Sequence, residues 1–179
     1  MTMEEINSAD QASFTASLGH LFEHSPWVAE GTWGRRPFRD GRHLHAELCA
    51  TMRGASREKQ RALICAHPDL AGRLAQQNQL TAESRKEQAS AGLTALSAEE
   101  LAVFQRLNTA YRERFGFPFV ICARLNARET ILRAMQERMN NSEEQEHATA
   151  LGEIEKIAWL RLEDVLKTEW PTEHTEHTE

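Results

Sequence analysis

At 179 residues the chain is long enough to bury one substantial core and short enough to need only one domain. Its formal net charge of -6, from 27 acidic against 21 basic side chains, excludes the basic footprint of a nucleic-acid or anionic-membrane partner. Cys49, Cys65 and Cys122 are odd in number, widely spaced and form no C-x-x-C pair, so they read as free thiols of a reducing compartment, and the cytosol is the expected location. No stretch approaches the run of about 20 apolar residues that a membrane helix needs. The opening MTMEEINSAD is acidic where a secretion signal is basic and then apolar.

Apolar residues recur mostly at three- and four-residue intervals, which predicts an all-α, single-domain bundle of about eight helices. These are expected near 8–24, 26–34, 40–53, 56–66, 81–91, 97–115, 126–140 and 142–168. The first carries Phe14, Leu18, Leu21 and Phe22 on one face, and Ser25-Pro26 offers the second a cap and a first-turn proline. Leu44, Leu48 and Met52 line the third. After the fourth, His67-Pro68-Asp69-Leu70-Ala71-Gly72 opens a long loop towards Leu80, because Pro68 pushes His67 out of helical geometry.

Ser97 and Glu100 have capping-box spacing and begin a helix striped by Leu101, Phe104, Leu107, Tyr111 and Phe115. The apolar segment from Gly116 to Cys122 cannot continue that helix regularly past Pro118. It is expected to cross the core extended, and its backbone groups make it a candidate pocket wall. Asn126 with Glu129, and Ser142 with Gln145, repeat the capping spacing ahead of the last two helices. Residues 1–169 are thus read as one helical domain. Residues 170–179, with their Glu-His-Thr repeat from Glu173, are read as a disordered polar tail that cannot offset its ordering entropy by burial.

Three features could carry chemistry. His67 sits at a helix exit beside a proline that restricts it, which suits proton transfer near neutral pH, although capping the preceding helix is the more common use of such a histidine. Ser84, Glu87 and Gln88 share one helix face and could converge on a polar ligand, yet in an arbitrary helix that face is solvated. Arg161 falls in the stripe Ile154, Ile157, Ala158, Leu162 and Val165, where a lone charge is costly, so it needs an acceptor, whether an internal carboxylate, water or a ligand. His43 with His45, His20 with His24, and His174 with His177 have metal-ligand spacing but lack convincing third and fourth ligands, and no metal is expected. Trp27, Trp33, Trp159 and Trp170 read as packing. Gly-rich phosphate loops, G-x-S-x-G and H-E-x-x-H are absent from the sequence.

Taken in order, these motifs resemble the 2-oxo-4-hydroxy-4-carboxy-5-ureidoimidazoline (OHCU) decarboxylase family. The resemblance is carried by His67 to Gly72, by Leu80-Thr81 with Ser84, Glu87-Gln88 and Ala91-Gly92-Leu93, and by Phe104, Leu107-Asn108 and Tyr111. It continues through Phe115 to Ile121, then Ala150 to Ile154, Ile157-Ala158 and Leu160-Arg161-Leu162, and spans roughly residues 10 to 167. It implies decarboxylation of a small ureido-imidazoline to S-allantoin and CO2 in urate breakdown. No cofactor is implied, since the substrate's own carbon–nitrogen system accepts the electrons. By the same resemblance His67 and Glu87 are catalytic, Pro68, Ser84, Gln88, Ile121 and Arg161 bind substrate, and the protein is a homodimer; Phe117 is expected to wall the substrate ring together with Pro68. The final His-Thr-Glu lacks a peroxisomal address, in keeping with a cytosolic bacterial enzyme. The competing readings are a non-catalytic helical interaction domain and, behind it, a metal-dependent hydrolase built on His43 and His45.

Overall fold

Short polar side chains punctuate the chain. Thr2, Asp10, Asp40, Ser56, Thr81 and Ser97 each accept a backbone N–H from the first turn of a helix, and Ser142 does so from Gln145. The helices they open, with two that start without a side-chain cap, are α1 (Met3–Ser8), α2 (Gln11–Leu18), α3 (Trp27–Thr32), α4 (Gly41–Arg53), α5 (Arg57–Cys65), α6 (Ala82–Ser90), α7 (Ala98–Phe115), α8 (Arg128–Arg138) and α9 (Glu143–Lys167). The computed structural model describes residues 1–72, 75 and 78–167, and among these there is no strand. The expected tail at 170–179 lies outside the described residues. No helix among them is long and apolar enough to cross a membrane.

The helical stripes face inward. Phe14, Leu18, Leu44, Leu48, Met52, Phe104, Tyr111, Ile131, Ile154 and Leu162 are all buried in one core. Each large apolar side chain removed from water contributes about 1.5–3 kcal/mol before entropy is counted. The long helix α9 packs against α4, α5 and the 3-10 turn Gly19–Leu21, while α6 rests on a second 3-10 turn, Ala123–Leu125. These two packings bring the carboxyl-terminal half of α9 beside α6.

Four features differ from the sequence expectation, each for a local reason. The helix expected over 8–24 is shortened at both ends: Ala9 is extended and Asp10 caps the start at Gln11 through Ser13, and after Leu18 the chain tightens into the 3-10 turn Gly19–Leu21 and is extended at Phe22. The extra element α1 has a full capping box between Thr2 and Glu5 but buries little besides Ile6, too short a stripe for periodicity to reveal. Ser25 does not cap α3: its hydroxyl donates to the Glu23 carbonyl at 2.8 Å, and α3 begins behind Pro26. Asn126 likewise leaves α8 uncapped, its amide donating to the Cys122 carbonyl at 2.9 Å and closing the Ala123–Leu125 turn.

The His-Pro loop is fastened by side chains from two helices. Gln88 of α6 accepts the Ala71 N–H at 2.9 Å and donates to the Asp69 carbonyl at 3.3 Å. Asn108 of α7 donates to the Leu70 carbonyl at 2.9 Å, and Arg112 to the Asp69 carboxylate at 3.0 Å. Ala71 is held at φ 50, a left-handed conformation that costs a non-glycine residue about 1–2 kcal/mol and persists because its surroundings demand it.

Candidate active site

His67 follows α5, and its ring turns back on that helix: Nδ1 lies 2.9 Å from the Leu63 carbonyl. A carbonyl only accepts, so Nδ1 carries the proton and neutral His67 keeps its lone pair on Nε2. Burial disfavours the charged ring and pushes its pKa down to about 4, against partial support from the Leu63 carbonyl and Glu23.

His67 shares a cavity of about 30 Å³ with Pro68, Ser84, Glu87, Gln88, Ile121 and Arg161, closed on the apolar side by Leu70, Phe119, Val120, Ala123 and Ile157. That volume is room for a water or two. The charged wall is shared with an outer hollow of about 280 Å³, which also touches Glu87 and Arg161 and adds His20, Lys86, Arg124 and Asp164.

Arg161 is 4% exposed, and each of its three guanidinium nitrogens has an acceptor. Nε and Nη2 donate to the two oxygens of Glu87 at 2.7 and 2.9 Å, Nη2 also reaches Glu23 at 2.8 Å, and Nη1 donates to the His20 carbonyl at 3.0 Å. Burial works against its charge, but Glu87 and Glu23 outweigh that and raise its pKa above the ordinary arginine value. The acceptor that the α9 stripe demanded is therefore a pair of internal carboxylates. Burial similarly opposes the charge of Glu23. The Arg161 charge and hydrogen bond, with help from His67 and Thr81, overcome it and hold the Glu23 carboxyl below the usual glutamate value.

Seven of the eight site residues expected from the sequence line this cavity, and Phe117 is not among them. Its ring packs against Phe115 and Tyr111 under the Arg61 guanidinium, and Phe119, two residues on, takes the place on the cavity wall. Around Ile121 the chain is pinned on both sides. The Val120 carbonyl accepts from Arg138 at 2.8 Å, and the Cys122 N–H donates to Glu153 at 3.1 Å.

Glu23 escaped the sequence reading, since a lone glutamate between Phe22 and His24 has no spacing that sets it apart. Asn108 did carry a signal, as a polar residue on the same face as Phe104, Tyr111 and Phe115. His43 and His45 are spent on structure, while His174 and His177 lie outside the described residues. His43 Nδ1 accepts the Arg39 N–H at 3.0 Å, and His45 Nε2 lies 2.8 Å from the Glu155 carbonyl. Among the described residues no group of three or more His, Cys, Asp or Glu side chains is placed to hold a metal ion.

A family model described as OHCU decarboxylase matches residues 7–163. The chain belongs to the OHCU decarboxylase family. It is 43% identical over 175 residues to 2-oxo-4-hydroxy-4-carboxy-5-ureidoimidazoline decarboxylase of Amia calva, covering 98% of this chain and 99% of that protein. The protein of the same name from Mus musculus is 44% identical over 166 residues, 93% of each chain. The crystal structure of an (S)-allantoin synthase shares the fold with a TM-score of 0.75 at 30% identity, over 93% of this chain and 54% of that one, so this chain spans about half of that protein. Within the OHCU decarboxylase family fold, the matched region contains every element that brings a residue to the cavity, from His67 after α5 to Arg161 on α9, and also Glu23, which bonds to Ser84 and Arg161 from behind the cavity wall.

Proposed function

We propose that this protein decarboxylates OHCU to S-allantoin and CO2 in urate breakdown, with side chains alone and no cofactor. The observation that carries the reading is the convergence, in one cavity, of a neutral buried His67 with Ser84, Glu87, Gln88 and Arg161. His67 and Glu87 are the catalytic pair, and Pro68, Ser84, Gln88, Ile121 and Arg161 hold the substrate once the Glu87–Arg161 wall gives way, since the 30 Å³ cavity admits only water until it joins the 280 Å³ hollow outside.

The substrate carries a carboxylate and a hydroxyl on one ring carbon, next to a carbon–nitrogen double bond. The carboxylate bond breaks as its electron pair passes into that π system, whose nitrogen takes a proton from water. The hydroxyl then yields its proton to Nε2 of His67 as it becomes the ring carbonyl, and the imidazolium returns the proton to the adjacent ring carbon. In sum one proton is consumed and one CO2 released. A ring whose pKa is lowered to about 4 makes a ready donor for the last step. Glu87 takes the N–H groups of the ureido arm and ring. Arg161 and the backbone beside Ile121 meet the oxygens on which charge accumulates, the arrangement that favours the transition state over the localised carboxylate. Delivery of the proton from the His67 face sets the S configuration.

The reading includes a homodimer in the cytosol, with residues 1–169 as the catalytic domain and 170–179 as a polar tail. Three unpaired cysteines, Cys49 and Cys122 buried and Cys65 exposed, support a reducing compartment, and the family resemblance supports the dimer. The test is circular dichroism of purified protein added to freshly generated OHCU, with buffer as control. Rapid growth of an S-allantoin signal above the slow racemic background is the expected result. No acceleration by folded protein would overturn the reading in favour of a helical interaction domain.

A further inference from the structure

The charged wall of the cavity rests on one carboxylate more than its charge requires: Glu87 lines the cavity, and Glu23 lies behind Arg161 and Ser84. Glu23 and Glu87 both bind Arg161, and His67 beside them is held neutral, so two anions share one cation in a buried site. The two carboxylates are fastened differently. Glu87 makes both of its side-chain hydrogen bonds to Arg161. Glu23, only 2% exposed, accepts from three groups: Thr81 Oγ1 at 3.0 Å, Ser84 Oγ at 3.1 Å and Arg161 Nη2 at 2.8 Å. Thr81 is itself fixed, because its oxygen caps α6 through the Ser84 N–H.

A carboxylate only accepts, so Ser84 gives its single hydroxyl proton to Glu23 and has only its two acceptor lone pairs to offer whatever occupies the cavity. Displacing Glu87 from Arg161 would normally strand a buried charge, a loss that makes one-sided removal from such pairs costly. Here Glu23 remains as counter-ion.

We propose that Glu23 is a positioning and specificity-determining residue of this site. It is the standing partner of Arg161 and the proton acceptor of Ser84. Glu87 is thereby free to leave the guanidinium for the N–H groups of a ureido ligand, and Ser84 meets the ligand as an acceptor. The site so arranged presents two acceptors, Glu87 and Ser84, to a ligand rich in N–H donors, and disfavours analogues in which those nitrogens are alkylated. This inference rests on the decarboxylase reading for its substrate.

The experiment compares wild type, Glu23→Gln, Glu23→Asp, Ser84→Ala and the double variant Glu23→Gln/Ser84→Ala. The readouts are kcat and KM on OHCU, and the His67 ring titration by NMR, assigned by its loss in His67→Gln. The groups facing His67 are Glu23, Arg161 and Glu87, so removing the Glu23 charge leaves Arg161 less balanced and moves the His67 titration to lower pH. Glu23→Gln is expected to raise KM and lower kcat/KM about 100-fold, the scale of an ångström's misplacement at a reacting centre. Glu23→Asp keeps the charge and is expected to recover the wild-type titration with part of kcat. Adding Glu23→Gln to Ser84→Ala is expected to cost less than it does in wild type, since one of its two tasks has gone.

Kinetic constants within twofold of wild type in Glu23→Gln, with His67 unmoved, would overturn the proposal. Should Glu23→Gln fail to fold, wild-type kcat and KM in Glu23→Asp would overturn it equally. A wild type without turnover would instead sink the decarboxylase reading and the substrate role with it, while the titration still judges the charge arrangement.

Discussion

Arg161 of α9 lays Nε and Nη2 against the two carboxylate oxygens of Glu87 on α6 at 2.7 and 2.9 Å, across 74 positions of sequence. This paired contact joins the helix that carries the candidate acid–base face to the helix that closes the core. It stands between the His67 cavity and the outer hollow, so both the stability and the chemistry of the site pass through it.

Replacing Arg161 with Met leaves Glu23 and Glu87 buried without a cation. Removal of one partner from a buried ion pair costs roughly 3–5 kcal/mol. Urea unfolding of Arg161→Met is expected to show a midpoint lowered accordingly with an unchanged slope. A stability within 1 kcal/mol of wild type would mean that the carboxylates escape to water or take up protons at little cost.

Glu87→Gln has the opposite signature. Arg161 keeps Glu23, so the variant is expected to fold with near-native circular dichroism, while kcat falls by about 10²–10⁴-fold, the usual worth of a positioned proton-handling group. His67→Gln is expected to lose turnover on the same scale. Near-wild-type rates in either would remove that residue from the catalytic pair.

The pH dependence of stability follows from the direction of the two shifts. His67 is lowered from 6.5 to about 4, chiefly by burial. Between those values the unfolded chain binds more protons than the folded one, so stability rises with pH across the window, is complete above about 6.5 and is lost as pH falls towards 4. Glu23 is also lowered, by Arg161 against the opposing effect of burial, and its contribution is lost on further acidification below 4.5. Denaturation midpoints measured from pH 4 to 7 are expected to climb in wild type and to climb less steeply in His67→Gln. Parallel curves would show that His67 titrates as an exposed histidine.

Gln88 is expected to matter through the loop it holds. Gln88→Ala releases the Ala71 N–H and the Asp69 carbonyl together, and with them the left-handed turn at Ala71. Two lost hydrogen bonds are worth about 1–3 kcal/mol. Limited proteolysis should cut this variant faster than wild type within residues 67–80, and kcat/KM should drop because Pro68 and His67 lose their fixed place. Equal cleavage rates would show that Asn108 and Arg112 suffice to hold the loop.

Most of the helices were legible in the sequence because their causes are local. Asp40, Ser56, Thr81, Ser97 and Ser142 cap the helices that follow them, and stripes such as Leu44, Leu48 and Met52 announce the buried faces within a few turns. Where a polar side chain had a second use, local spacing misled: Ser25 and Asn126 spend their hydrogen bonds on neighbouring carbonyls instead of on helix starts.

The site divides in the same way. His67, Ser84, Glu87, Gln88 and Arg161 could be named from the sequence, but only as alternatives to capping, solvated or snorkelling roles, until the ordered motifs tied them to one family. What the sequence by itself determined was most of the helices and many of the residues that had to be buried, since both follow from interactions three or four positions apart. Only the tertiary structure decided that Glu23 joins Ser84 and Arg161, that Phe119 rather than Phe117 meets the cavity, and that α6 turns a polar face inward. Those contacts link residues 61 and 138 positions apart, and the electrostatics of a buried charge depend on which opposite charge the folded chain brings within about 3 Å.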